Sequence, residues 1–373
     1  MCSTLCKGYK CTNSFNKKNS LNLYTKNELI RLNVKKVYII GGTGAVSQVV
    51  EENIKQLGIQ TERISGNSRY ETSVKIANEL KKLTPYTEVF LASGENYPDA
   101  LSAASIAAIK GTPILLTKKA ELPKVIEDFT KQTSITKTYI MGSINAIYGI
   151  VSMKMPNPIR IGGNNRFETN IKLIQNFSQQ LNLNKIYLSI GQGSTGREYA
   201  DALTGAVASA IDNTAILLTK SDLVNEVEMF VKYNLYNTTQ LIVLGGTNAV
   251  SLVQENKINN LIKQIPNEDK WKDIKTVMGF NKYELIDIKM RLERCIILGK
   301  TTREREALTL ATTIISKILD NPEYDYSNDV EEMKRLKANL TQSEKDNLLN
   351  IFIDNFIDLD LSKIYNLKTE LGL

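Results

Sequence analysis

The feature that most constrains this chain is a long motif that occurs twice. Residues 63–72 read R-I-S-G-N-S-R-Y-E-T, and residues 160–169 read R-I-G-G-N-N-R-F-E-T. The first is followed by V-F-L-A-S-G-E-N-Y-P-D-A-L (89–101), G-T-P-I-L-L-T (111–117) and T-Y-I-M-G (138–142). The second is followed in the same order by I-Y-L-S-I-G (186–191), Y-A-D-A-L (199–203), A-I-L-L-T (215–219) and L-I-V-L-G-G-T-N-A-V-S (241–251). A repeat of this length means that one supersecondary unit is used again, so single motifs have to be read within it.

Within a copy, short apolar runs alternate with helical periodicity. Val74, Ala77 and Leu80 share one helical face, and Pro85 ends that pattern. Val89–Ala92 is a continuous apolar run, as expected of a parallel strand covered on both faces. Pro98 opens a helix that Gly111 closes. Ala100, Ala103, Ala104, Ala107 and Ala108 keep that helix thin enough to lie close to a sheet. The alternation β-α-β-α-β predicts parallel sheets with right-handed crossovers.

The spacing divides the chain into a polar tail (1–33), the closing quarter of a first copy (34–60), a complete copy (61–156), a third copy (157–265) and a helical region (266–373). The tail has a weak helical pattern over 21–32. Val34–Ile40 reads as a strand running into G-G-T-G-A-V-S (41–47), which belongs to the end of a copy, so the first copy is incomplete. After residue 265 the alternation stops. Leu285, Ile288, Leu292 and Cys295 share one helical face, with Gly299 as a stop. Thr301/Glu304 and Thr341/Glu344 have the spacing of capping boxes. The fold class is therefore α/β in tandem, followed by an all-helical C-terminal region.

These residues carry a family resemblance. The combination G-x-x-R-Y/F-x-T, ASG-x-x-x-x-DAL, PILLT and I-x-GG-x-x-AVS resembles the clostridial cell wall binding repeat 2 family. The likeness spans about two and a quarter repeats, from Val34 to Ile265. It implies Toprim-like or Rossmann-like units, three of which the family stacks about a pseudo-threefold axis, and non-covalent attachment to anionic polymers of the Gram-positive wall. It also implies that Arg69, Tyr70, Thr72, Asp99, Arg166, Phe167, Thr169 and Asp201 shape the repeat interface and its ligand groove. Self-association could replace the incomplete copy.

Composition narrows the chemistry. The chain has 373 residues, a net charge of +7 and no histidine. Without histidine it cannot build a Ser-His-Asp triad, a Cys-His dyad or a His-ligated zinc site from its own residues. The expected protein is not an enzyme, with no cofactor, no metal, and neither nucleic acid nor membrane as partner. The positive charge suits an anionic partner, although a Lys-rich composition produces the same number. Cys2, Cys6, Cys11 and Cys295 do not form paired C-x-x-C knuckles. Residues 1–31 lack the apolar core of about 7–15 residues that a secretory signal requires. The resemblance places the protein at the cell wall, whereas a chain complete as it stands would be cytoplasmic.

Several motifs stay open between two readings. Gly191, Gly193 and Gly196 fit G-x-G-x-x-G with Asp212 downstream, the basis for an alternative nucleotide-binding enzyme. Asp212, however, precedes the next strand, where a ribose-binding acid follows it. A non-functional remnant of a surface protein is a further alternative. The glycines at 41–44 and 245–246 fit a phosphate cradle or a tight turn with positive φ. Asp99 and Asp201 fit helix N-terminal caps, with Arg69–Asp99 and Arg166–Asp201 as structural pairs. Asp325, Ser327 and Asp329, and Asp358 and Asp360, lack the glycine of a calcium loop.

Overall fold

The structure is a computed structural model. It describes residues 18–192, 199–266, 271, 274, 276–356 and 361–371. The chain divides into two units, one ending at Ile265 and one beginning at Pro266.

The first unit begins with α1 (Leu23–Arg31), capped by the Asn22 side chain, which accepts from the Tyr24 amide. Strand β1 (Lys36–Ile40), helix α2 (Gln48–Lys55) and strand β2 (Gln60–Ile64) follow. β1 and β2 form a two-stranded parallel sheet in the register Lys36↔Gln60 to Ile40↔Ile64. Ile39, Val50, Ile54 and Ile59 form its small core, against which Leu21 and Leu29 pack. The second half of the polar 1–33 segment thus contributes apolar contacts.

The complete copy runs α3 (Arg69–Lys81), β3 (Glu88–Ser93), α4 (Pro98–Lys110), β4 (Ile114–Thr117), α5 (Lys124–Gln132), β5 (Lys137–Met141), α6 (Gly149–Ser152) and β6 (Pro158–Ile161). Its strands are all parallel in the order β4-β3-β5-β6. The apolar run in β3 occupies the sheet centre, with Val89, Phe90, Leu91 and Ala92 inaccessible to solvent. That is why it shows no alternation.

The third copy repeats the order with α7 (Arg166–Asn176), β7 (Lys185–Gln192), α8 (Ala200–Ile211), β8 (Ile216–Lys220), α9 (Asn225–Asn234), β9 (Gln240–Val243) and α10 (Leu252–Lys263). Its sheet is β8-β7-β9, again parallel. β6 belongs to one sheet while the helix it leads into, α7, belongs to the next copy. The two copies consequently share a core: Phe90, Ile106, Tyr139 and Met141 pack with Ile174, Phe177 and Leu188. Phe177 lies 5.1 Å from the Tyr139 ring and 5.9 Å from Phe90. Removing such a side chain costs about 3–5 kcal/mol.

Edge strands are held by polar side chains from the preceding helix. Ser73 on α3 accepts from the Leu116 amide of β4. Asn170 on α7 does more, donating to the Ile216 carbonyl at 3.0 Å and accepting from the Leu218 amide at 2.9 Å. This amide stands in for a neighbouring strand on β8.

The second unit contains α11 (Lys282–Ile296), α12 (Thr302–Asp320), α13 (Ser327–Ala338), α14 (Gln342–Phe356) and α15 (Leu361–Glu370). Leu285, Ile288, Leu292 and Cys295 are fully buried, as the periodicity requires. Burial pushes the Cys295 thiol up to about 11, so it is an inert core residue. Asn281/Glu284 and Thr301/Glu304 form capping boxes. Thr341 and Glu344 make the same reciprocal bonds, and Glu344 also accepts from Thr301 at 2.8 Å. Two helix starts are thereby tied to one carboxylate. Asp325 accepts from Ser327, and Asp329 holds Lys317 and Tyr324, so these acids serve local structure. Asp358, Asp360 and the cysteines at 2, 6 and 11 lie outside the described residues.

Candidate functional site

The recurring R-Y/F-E-T segment builds a helix entry. Ser68 accepts from the Glu71 amide, and Asn165 accepts from the amides of Phe167 and Glu168. Glu71 and Glu168 reach back to the amides of Asn67 and Asn164. Thr72 Oγ1 accepts from the Gly66 amide at 3.0 Å, and Thr169 Oγ1 from Gly163 at 2.9 Å. Glu and Thr therefore fix the loop that presents the arginine. Phe167 is buried with Leu101 and Ala104 of the preceding copy, whereas Tyr70 is half-buried.

Each arginine reaches along its own copy. Arg69 donates to the Gly94 carbonyl, and Arg166 donates to the Gly191 carbonyl at 2.8 Å. The expected pairs Arg69–Asp99 and Arg166–Asp201 do not form among the described residues. The charge acting on Asp99 is instead Arg166, from the following copy. Burial raises the Asp99 pKa above the usual carboxylate range, and Arg166 opposes that shift. Nor do the two aspartates cap their helices: the N-caps are Tyr97 and Tyr199, and no side-chain cap bond is present.

What the aspartates touch is a turn. Asp99 Oδ2 lies against Gly142 where a side chain would project, and Asp201 Oδ2 lies against Gly245 in the same way. Gly142 and Gly245 have φ of +94° and +100°, and Gly41 has +105°. The glycine motif is therefore a left-handed turn ending the third strand of each copy, as the turn reading expects. Its second position, Gly42 or Gly246, has open space around it, which explains why Ser143 can stand there in the middle copy. Arg160 locks the turn from below, donating to the carbonyls of Gly142, Ser143 and Ile147. Arg63 does the same for Gly41 and Val46 while pairing with Glu51 at 2.7 Å. The opening arginine of each motif is thus a structural fork, a role the pattern alone did not separate from Arg69 and Arg166.

Two residues that the sequence reading missed complete the junction. The Tyr97 and Tyr199 rings lie 4.5 Å apart across the copies, and the Arg166 guanidinium sits 5.8 Å from the Tyr97 ring. Both tyrosines stand two residues before the aspartates, so their repetition was visible as Y-x-D-A-L. Both are half-buried. The junction therefore combines two aromatic rings, one carboxylate without a hydrogen-bond partner among the described residues, and one cation. No nucleophile–base pair is present among these residues.

The G-x-G-x-x-G segment falls mostly on 193–198, outside the described residues. Asp212, the acid proposed to accompany it, accepts from Lys185 at 2.9 Å and Tyr187 at 2.7 Å. Those bonds hold its pKa down and tie it to β7.

This architecture defines a tandem α/β repeat protein whose two copies meet at a shared junction. Residues 63–151 and 160–254 belong to the family Cell wall binding domain 2. Among curated relatives, the chain is 32% identical over 240 residues to N-acetylmuramoyl-L-alanine amidase LytC of Bacillus subtilis, covering 64% of this chain and 46% of that protein. It is 30% identical over 247 residues to the Amidase enhancer of the same organism, covering 65% and 32%. The chain thus spans less than half the length of either. The solved structure of Cwp8 from Clostridium difficile matches with a TM-score of 0.63 and 30% identity, over 71% of this chain and 45% of that one. Cwp6 from Clostridium difficile matches with a TM-score of 0.65 at 20% identity, over 85% and 51%, a likeness of fold. The family assigns the two copies to cell wall association. Among the described residues no helix is long and apolar enough to cross a membrane.

Proposed function

We propose that this chain is a non-catalytic anchor that binds an anionic glycopolymer of the Gram-positive wall through the junctions between its repeats. The observation that carries the reading is the junction itself: Tyr97, Asp99, Arg166 and Tyr199, contributed by two adjoining copies of a wall-binding domain. Tyrosine rings offer stacking faces for sugars, free carboxylate oxygens accept from hydroxyls, and the guanidinium matches phosphate or carboxylate. The net charge of +7 favours approach to a polyanion. The absence of histidine removes the zinc and triad chemistries usual in wall hydrolysis from this chain.

The test is retention on purified clostridial walls before and after the anionic polymer is stripped. Retention that falls with stripping and with added salt supports the reading. Retention indifferent to stripping, or release of soluble muropeptides by the pure protein, overturns it. Self-association is part of the same proposal, because the first copy is incomplete among the described residues.

A further inference from the structure

The glycine turn and the short helix after it occur three times, so they can be compared position by position from Gly41, Gly142 and Gly245. The first copy carries Thr43, Ser47, Val49 and Glu52 after its glycine, and the third carries Thr247, Ser251, Val253 and Asn256. The middle copy has Ile144, Tyr148, Ile150 and Met153 at the same positions. These four are 59%, 42%, 59% and 75% exposed. Three polar positions have thus become large and apolar while facing solvent. They are also neighbours. Ile144 Cδ1 lies 3.9 Å from where a Gly149 Cβ would stand, and Ile150 and Met153 follow within one helical turn. The Tyr148 amide donates to the Lys119 carbonyl at 2.9 Å, and Lys119 Nζ sits 4.9 Å from the Tyr148 ring centroid.

The middle copy gives up local structure to present this surface. In the third copy Ser251 caps α10 by accepting from the Gln254 amide, and α10 runs for 12 residues. Tyr148 makes no side-chain cap bond, Gly149 takes the first helical position, and α6 stops after 4 residues. A capping hydroxyl and a good helix former would both favour the helix, and neither is present. The exposed side chains add little core packing in return. A local rule broken without gain to the fold points to a surface with a use. At these exposures the four side chains present on the order of 400–500 Å², the size at which an apolar patch marks an interaction site. Two such patches face to face remove about 800–1,000 Å² from water, the range of a weak, reversible pair. The rim carries both signs: Lys154 is exposed beside Met153, and its charge acts on the carboxylates of Glu121 and Glu127. A surface that matches itself about a two-fold axis needs both.

We propose that this face of the middle copy, formed by Ile144, Tyr148, Ile150 and Met153 and rimmed by Lys154 and Glu121, docks on the same face of a second copy of the chain. The apolar centres cover each other, and the lysine of each rim meets the acids of the opposite one. The third copy does not compete for this role. Leu252 and Val253 are exposed there, but Thr247, Ser251 and Asn256 interrupt them. The contact deepens the self-association part of the reading above by giving it a surface, and it is independent of wall binding.

The experiment is sedimentation velocity on the full chain over about 1–200 µM. Beside it runs a variant in which Ile144→Thr, Tyr148→Ser and Met153→Glu restore the residues of the first copy. The parent is expected to pass from monomer to dimer in the tens of micromolar, and the triple variant to dimerise at least about tenfold more weakly. The variant's Tm should equal or exceed the parent's, because Tyr148→Ser offers a helix cap. Met153→Glu alone, at a position 75% exposed, weakens the dimer with Tm unchanged, which keeps a folding defect apart from a lost contact. Leu252→Ser with Val253→Ser leaves the dimer intact, and dissociation there overturns the assignment of the surface. A parent monomeric at the top of the range overturns the proposal, and so does a dimer that survives the triple variant. If the parent is monomeric and the triple variant loses wall retention, the face belongs to polymer binding and the two-fold contact falls. Wall retention by a monomeric parent leaves the wall-binding reading standing and removes this one alone.

Discussion

The charge that acts on Asp99 is that of Arg166, 67 positions later in the next repeat, and not that of Arg69 in its own copy. The carboxylate belongs to one copy and the charge acting on it to the other, so this influence exists only when two copies are docked. Asp99 is thus a junction residue, half-buried against Gly142 and without a hydrogen bond among the described residues.

Replacing Asp99 by asparagine separates a structural role from a binding one. Burial raises the carboxyl pKa, so the folded protein holds a proton that the unfolded chain releases at lower pH. That contribution favours folding below the unfolded pKa and is lost as pH rises through the folded value. Asp99→Asn is therefore expected to match or exceed the wild-type Tm at pH 7, to flatten the pH dependence, and to weaken wall retention. A clear loss of Tm at pH 7 with retention intact would make Asp99 a structural residue.

The two glycines of the turn should respond oppositely. Gly142→Ala forces a Cβ into a left-handed backbone and against the Asp99 carboxylate. A loss of about 1–3 kcal/mol is expected in denaturant titration. Gly246→Ala meets open space and should stay within about 0.5 kcal/mol.

Asn170 holds both polar groups of an edge strand and is fully buried. Asn170→Leu leaves the Ile216 carbonyl and Leu218 amide unmatched, with an expected cost of about 2–4 kcal/mol. Ser73→Ala loses a single bond and should cost about 1 kcal/mol. Equal effects in the two variants would contradict this account of the strand edge.

Acid should loosen the helical unit through Glu344. Its carboxyl is held down to about 2, first by the Thr341 amide and then by the Thr301 hydroxyl. A depressed pKa gives stability that is full above the unfolded value near 4.5 and is lost as pH falls toward 2. Near-ultraviolet dichroism from the single tryptophan, Trp271, whose indole donates to Leu319, should report this loss. Glu344→Gln should remove that part of the pH dependence.

The sequence by itself determined what depends on neighbours along the chain. The repeat order, the parallel α/β alternation, the apolar centre of β3, the capping boxes and the buried face of α11 follow from periodicity and short-range hydrogen bonding. The exclusion of histidine chemistry follows from composition alone. Tertiary structure decided which groups meet. Whether Arg166 serves Asp201 or Asp99, whether Asp99 caps a helix or presses on a turn, and whether Tyr97 finds Tyr199 depend on how one copy docks on another. Docking is set by the shared core around Phe177, whose contacts join residues far apart in sequence. A repeated motif shows that the same residues recur, but not whether they pair within a copy or across the seam, because both arrangements leave the same pattern in the chain.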